Sequence, residues 1–343
     1  DHFNIFIEKG ECFYLKTVDD REVIRKHALG SFHDLVFTSA HSPAMLTYLD
    51  NQVNEKSHPN ENYARELMEL HTLGVDGGYS QQDVMELARC LTGWSVKKHF
   101  WLGEFVFREE QHDTGVKNVM GLTIQPEGQK EAERVIEMLT SHPSTAKFIA
   151  TKLCRRFIAD NPPQEIIEKV ARTFLQTNGD IKSVLRVVLL DGLAYMQPKY
   201  KRPLNFVLSA SRMLNIETDA VAINRHLLRM GQGHFNHPTP DGYSDFSETW
   251  QGNLMPRWQF AFQLIRNEIE DTKHNLQNLL DVSLTENLQE DIDAISSLLL
   301  GSPIDRLIRD GLIDSVSSAG ANTDEALQII VGSLIASPAF QWR

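Results

Sequence analysis

The stretch Asn60 to Trp94, NENYARELMELHTLGVDGGYSQQDVMELARCLTGW, holds two helical patterns joined by a glycine turn. Asn60 suits the N-cap of the first. At about 100° per residue, Asn62, Arg65, Glu66, Glu69 and Leu73 fall in one stripe. Tyr63, Leu67 and Leu70 form the adjoining apolar stripe, which must face a core, so the polar stripe borders buried surface. Gly74 ends this helix, and Asp76-Gly77-Gly78 turns the chain with residues suited to positive φ. Ser80-Gln81-Gln82-Asp83 reads as a capping box with Asp in place of the usual Glu or Gln. The second helix, 81–91, then runs into Thr92-Gly93-Trp94. A turn this short makes the two helices antiparallel neighbours.

The same periodicity recurs outward from this pair. It predicts helices near 19–29, 43–51, 128–140, 144–158, 163–176, 180–191, 203–214, 218–230, 254–270, 287–300, 302–313 and 323–336. Ser42-Pro43, His142-Pro143 and Ser337-Pro338 share one local device, proline where a helix begins. Between Phe100 and Ile124, the apolar runs Phe105-Val106-Phe107 and Val119-Met120-Gly121-Leu122 flank the polar REEQHDTGVKN and predict a short hairpin with a long loop. The fold class is therefore mainly α, a multi-helix orthogonal or bundle-like array with a small β-hairpin insertion near 100–124. Gly231 to Pro256 is a second irregular stretch, of a kind that often carries function. QPKYKRP, Gln197 to Pro203, marks a boundary between a helical domain over 1–200 and a helical region over 201–343, expected to pack as one globular unit.

A chain of 343 residues with 41% hydrophobic content can bury a large core. Its net charge of -12 disfavours nucleic acid, which needs a surplus of Lys and Arg on one face. No apolar run approaches the roughly 18 residues of a membrane span. Cys12, Cys90 and Cys154 form no CxxC pair, and the last two lie in apolar helical patterns that read as small buried thiols. The opening DHFNIFIEKG reads as the middle of an amphipathic helix, with no signal peptide and no initiating Met, as in a chain lacking its N-terminal part.

Glu66 and Glu69, one turn apart beside Arg65, suit acid–base work, cation binding or plain ion pairing. In the last case Arg65 and Glu69 form an i,i+4 pair. His71 points away from Asn62, so a metal here would need ligands from another element. Trp94 serves as core filler or as a platform for a ligand ring. His112 and Asp113, with Lys117, form a polar cluster on the proposed loop. His234, His237, Asp241 and Trp250 gather in the second irregular stretch, but HFNH matches no recognised zinc pattern. GxSxG, GxxxxGK[ST], HExxH and strand-borne GxGxxG are all absent, which removes the common hydrolase, nucleotide and zinc-protease templates. These absences leave the cofactor unknown.

The signature from Asn60 to Trp94 closely resembles that of a bacterial family called domain of unknown function 1800. DHFNIF resembles the family's opening helix, and IRKHALGSFHDL with SPAMLTYLDN its next block. HDTGVKNVMG resembles its loop motif, and HPTPDGYSDFSETW its C-terminal Pro-Gly-Trp region. The likeness spans essentially the whole chain, and family members are usually longer at the N-terminus. It implies a largely helical, extracytoplasmic protein, periplasmic or extracellular. Its members often sit beside a second family that resembles sulfatases, so saccharide or sulfated substrates are implied, without a reaction. The motif residues present here include His2, Asn4, Asp50, Asn62, Arg65, Glu66, Glu69, His71, Asp83, Trp94, His112, Asp113, Lys117 and Trp250.

Three functions remain open. The first is a hydrolase or lyase acting on a carbohydrate-like substrate. Glu66 and Glu69 would be acid and base with His112 and Asp113 opposing them; Asn62, Arg65 and Lys117 would bind polar groups, and Trp94 or Trp250 would stack on a sugar. Because Glu66 and Glu69 share a helix face, the carboxylate across the bond is expected from Asp113. The second is a metal-dependent enzyme with Glu66, Glu69 and His112 or His71 as ligands. The third is a non-catalytic binding or assembly partner of the sulfatase-like envelope protein. Open convergence of the carboxylates favours chemistry; closed pairing favours structure.

Overall fold

Proline and capping side chains set where the helices begin. Pro43, Pro143 and Pro338 each stand in the first turn of a helix, where the missing N–H would be unpaired anyway. The computed structural model describes residues 1–99, 102–276, 284–285 and 287–343, so Phe100, where the predicted hairpin segment begins, lies outside the described residues. These residues form two units, Asp1–Gln197 with Phe235–Tyr243, and Pro198–His234 with Ser244–Arg343.

In the first unit, α1 (Cys12–Asp19) continues into a π-helical segment, Asp20–Arg25. Then come α2 (Phe32–Ala40), α3 (Pro43–Tyr48), α4 (Asn62–Glu66), a second π segment at Leu67–Thr72, and α5 (Gln81–Cys90). Strands β1 (Trp94–His99) and β2 (Leu102–Phe107) form one antiparallel hairpin, β3 (Lys117–Val119) and β4 (Leu122–Ile124) another. Helices α6 (Lys130–Ser141), α7 (Pro143–Phe157), α8 (Gln164–Gln176) and α9 (Ile181–Leu190) complete it. Its core joins Tyr63, Leu67 and Met68 to Leu87, Trp94, Val135 and Leu139, all buried.

The second unit has α10 (Pro203–Met213), α11 (Val221–Arg229), α12 (Leu254–Ile265), α13 (Leu288–Leu300), α14 (Arg306–Ala319), α15 (Thr323–Ala336) and α16 (Pro338–Gln341), with a two-residue hairpin between Glu217–Thr218 and Thr272–Lys273. Phe206, Phe260, Ile295, Ile330 and Phe340 lie in its separate core. The chain is mainly α with small two-stranded sheets, as its periodicity predicts. No described helix is long and apolar enough to cross a membrane.

Four local expectations are corrected. Residues 1–11 form turns rather than a helix, because their polar groups bond to the 235–243 segment: Ile7 N–H donates to the Phe235 carbonyl, and the Asn4 amide to the carbonyls of His237 and Thr239. Phe32–Ala40, not anticipated, is helical behind a Ser31 cap. The predicted single hairpin is two. Phe105 pairs with Val96, not with the 119–122 run, because Gly93 at φ 81° lays the chain against Arg108, whose N–H donates to the Gly93 carbonyl at 2.8 Å. A Cβ at Gly93 would stand 2.6 Å from the Arg108 carbonyl oxygen, so only glycine fits.

The fourth concerns the signature helix. It widens after Glu66, where Leu73 N–H bonds to the Met68 carbonyl, five residues back, at 2.8 Å. A uniform 100° stripe therefore ends at Glu66, and π turns of this kind occur frequently at functional sites. Arg65 consequently pairs with Glu61 (3.0 Å) and Gln81 (2.9 Å), not with Glu69.

The helix pair is tied at both ends. Asn51 and Asn54 are buried, and their amides donate to the Leu91 and Ala88 carbonyls, two of the acceptors that the end of α5 leaves unpaired. At the other end the expected capping box is present. Asp83 accepts from Ser80 N–H at 2.7 Å and, with its second oxygen, from Met120 N–H at 2.6 Å on the β3–β4 turn. Replacement of Asp83 by Ala should therefore cost about 1–2 kcal/mol. A lower urea midpoint with an unchanged slope is the expected reading; an unchanged midpoint would contradict it.

Candidate functional site

The helix α6 carries Ala132, Val135, Ile136 and Leu139 on its buried face, and Glu131 belongs to the same face. Its carboxylate is thus drawn inside, with 0% exposure. One oxygen accepts from the N–H groups of Glu127 (2.9 Å) and Gly128 (3.1 Å) and lies 3.0 Å from His112 Nε2. The other accepts from the buried Lys117 ammonium, which also donates to the Asp113 carbonyl. The remaining His112 nitrogen, Nδ1, lies 2.8 Å from the Thr92 carbonyl. Both ring nitrogens of His112 thus face acceptors. Burial opposes ionisation of Glu131, but its bonds from Lys117 and His112 outweigh that, and its carboxyl is held below the usual glutamate range.

Asp113 is held as firmly. Arg89 grips it with two bonds, Nε at 2.8 Å and Nη2 at 3.0 Å, and Gly115 N–H adds a third at 2.8 Å. The Arg89 guanidinium pushes Asp113 down to about 2. Arg89 also holds both oxygens of Glu86, one of which accepts from Asn118 N–H. Loop motif and helix pair are therefore stitched together by fully committed charges.

Glu66 has a different setting. It is half-buried, and among the described residues no hydrogen bond reaches its carboxylate. Burial raises its pKa, helped by the charges of Glu69 and Asp241 and opposed by Arg65. Glu69 accepts from the Tyr79 hydroxyl at 3.2 Å. The Asp241 segment, 235–243, is fastened here by the Asn4 amide and by the Tyr48 hydroxyl, which donates to the Pro238 carbonyl at 2.8 Å. Asp241 itself accepts from Thr239 Oγ1 at 2.6 Å and lies 3.5 Å from His237 Nε2. Burial, with Asp241 and Glu66 adding, pushes the Tyr48 phenol up to about 12, so it stays a donor. Asn62 spends its amide N–H on the Leu49 carbonyl at 3.1 Å.

The expected foursome thus divides. Glu66 and Glu69 share the corner that Asp241 faces, whereas the hydrogen bonds of His112 and Asp113 run to Glu131, Thr92, Arg89 and Gly115. Lys117 belongs to the closed network. Trp94 has 0% exposure and packs against His41 and Phe105 at ring distances of 4.4 and 5.2 Å, as core. Trp250 is buried in the second unit and donates to the Ser244 carbonyl. His71 is buried among His2, Phe3 and Tyr63, and burial holds it down to about 3. Among the described residues no group of three or more His, Cys, Asp or Glu side chains is arranged to hold a metal. All three cysteines are buried free thiols, as the patterns around Cys90 and Cys154 predict.

A family model settles the relationship that the signature suggests, matching residues 1–342. The chain belongs to the family described as protein of unknown function, DUF1800. No curated protein and no solved structure matches it. Glu131, Tyr48 and Asp241 were not assigned roles beside the signature from sequence. For Glu131 the signal was present, since a carboxylate stands at i−4 from Val135 on an apolar stripe.

Replacing Glu131 by Gln leaves Lys117 buried without its counter-charge, and should cost about 3–5 kcal/mol at neutral pH. Folded pKa values depressed below the unfolded ones mean stability present above about pH 5 and lost as pH falls through them. The difference in urea midpoint between wild type and Glu131→Gln should therefore shrink on acidification; a gap that does not narrow as the pH falls would contradict this.

Proposed function

We propose that the chain is an acid–base enzyme of the hydrolase or lyase kind, acting at Glu66 on a polar, carbohydrate-like substrate. The observation that carries this reading is the Glu66 carboxyl itself: half-buried, free of hydrogen bonds among the described residues, and raised in pKa by burial and two neighbouring carboxylates. A carboxyl so placed keeps its proton closer to neutral pH than an ordinary glutamate, which is what a general acid requires. Glu66 would protonate the leaving oxygen as its bond to carbon breaks. Asp241 or Glu69, in the same corner, would take the proton from the water whose oxygen bonds to that carbon in hydrolysis, or from the adjacent carbon in elimination, where its electron pair forms the C=C bond.

His112, Asp113 and Lys117 then act as scaffold, holding the helix pair through Glu131 and Arg89. Asn62, whose side-chain oxygen accepts no hydrogen bond among the described residues, would receive substrate hydroxyls from four residues before Glu66 on the same helix. Location outside the cytoplasm, in the periplasm or beyond the cell, follows from the family resemblance and fits a saccharide substrate. The closed charge network favours a second reading, in which the loop of His112, Asp113 and Lys117 is purely structural and the chain serves as an assembly partner of a sulfatase-like protein.

The experiment is kinetic. In a preparation that turns over a glycoside or polysaccharide, Glu66→Gln should lower kcat by about 10²-fold or more, and should remove the limb of the pH profile that falls as Glu66 loses its proton. Full turnover with an unaltered profile would overturn the enzymatic role of Glu66.

A further inference from the structure

In the second unit a fully buried arginine has only neutral oxygens for partners. Arg257, on α12, has 0% exposure. Its Nη1 donates to Gln341 Oε1 at 2.9 Å and its Nη2 to the Lys201 carbonyl at 2.7 Å. The rings of Tyr200 and Phe206 lie 4.7 and 5.2 Å from its Cζ. Two donors are left over: Arg257 Nε and the Tyr200 hydroxyl are both buried and have no hydrogen-bond partner among the described residues. Beside them the Lys201 ammonium lies 3.7 Å over the Phe340 ring. Burial first, then the charges of Arg343 and Arg257, push that lysine down to about 8.

A guanidinium taken out of water is costly unless a counter-charge accompanies it. Aromatic faces offset part of that cost, but they bring no net negative charge. Unused hydrogen-bonding capacity here is on the donor side: an N–H, a phenolic O–H and an ammonium. Both other donors belong to residues next to Arg257, whose Cζ lies 4.7 Å from the Tyr200 ring and whose charge acts on Lys201, and donors around an arginine without a counter-charge suit an oxyanion and not a cation. The outer side is covered by Trp342, which bridges to Tyr200 in a short antiparallel contact and packs edge-on to its ring at 5.2 Å. Trp342 keeps 39% of its surface exposed, so the Tyr200 side of the cluster borders solvent.

We propose that Arg257, Tyr200 and Lys201 form a binding site for one small oxyanion, of the sulfate, phosphate or carboxylate class. This site lies wholly within the second unit and does not depend on the chemistry of Glu66. Its occupant completes the charge balance of Arg257 and links α12 to the 199–201 and 341–343 segments, which already exchange backbone bonds.

The test is thermal unfolding of the full chain at pH 7 in sodium sulfate, phosphate or acetate, each at about 10 mM and compared with chloride at matched ionic strength. At least one oxyanion should raise Tm by about 3 °C or more over chloride, and the ranking of the three identifies the class. Tyr200→Phe, which deletes only an unpaired hydroxyl, should fold as well in chloride yet lose at least half of that rise. Lys201→Met should do the same. Sulfate and phosphate also stabilise proteins by exclusion from the surface, and that effect would persist in both variants. A rise that survives unchanged in both, or no rise above chloride for any oxyanion, overturns the proposal.

Discussion

A glutamate without exposed surface holds the first unit in the form described. Glu131 neutralises a buried lysine, orients a buried histidine and accepts two backbone N–H bonds at the start of its own helix. A lone carboxylate in that position would be strongly unfavourable, as would Lys117 without it. Together they are tolerable only because nearly every donor and acceptor is matched. The consequence reaches outward. Lys117 begins β3, Asp113 precedes it by one turn of loop, and Arg89 reaches both that loop and Glu86, so α5, α6 and the second hairpin share one set of charges.

That arrangement separates the acidic residues of the unit by availability. Asp113, Glu86 and Glu131 are each held by a cation at close range. Glu66 is held by nothing comparable, and its neighbours push it the other way. The contrast arises from placement on the backbone. Glu131 on α6 is fully buried and Glu86 on α5 is largely covered, while the signature helix widens at Glu66 and leaves that side chain at a partly wetted corner. Tyr48 and Asn4 then bring a distant loop, with Asp241, to the same corner. The carboxylates of the unit thus divide into those tied to cations and Glu66, which accepts no hydrogen bond among the described residues.

Much of the local architecture was legible in the sequence. The capping box at Ser80–Asp83, the glycine turn, the three helix-opening prolines and the buried thiols all follow from short-range rules, and the structure has them. What was not legible depends on partners far away in the chain. The π turn after Glu66 replaces a uniform stripe with two faces, so Arg65 meets Glu61 and Gln81 where a regular helix would offer Glu69. Phe105 finds β1 because Gly93 permits a backbone approach that no periodicity reveals. The opening residues look amphipathic and helical, yet bond to the 235–243 segment. His112 and Asp113 were readable as chemistry because a loop with His, Asp and Lys resembles a site; only Glu131 and Arg89, on separate helices, show that those groups are committed.

The central claim is that Glu66 holds its proton to higher pH than an ordinary glutamate, because burial and neighbouring carboxylates disfavour its charge. Site-resolved titration by carbon-detected NMR of the side-chain carboxyls, from pH 2 to pH 8, tests it directly. Glu66 is expected to titrate above the ordinary glutamate range, and Asp113 near about 2. A Glu66 midpoint at or below the ordinary range of about 4.3 would contradict the account, whatever activity the protein proves to have.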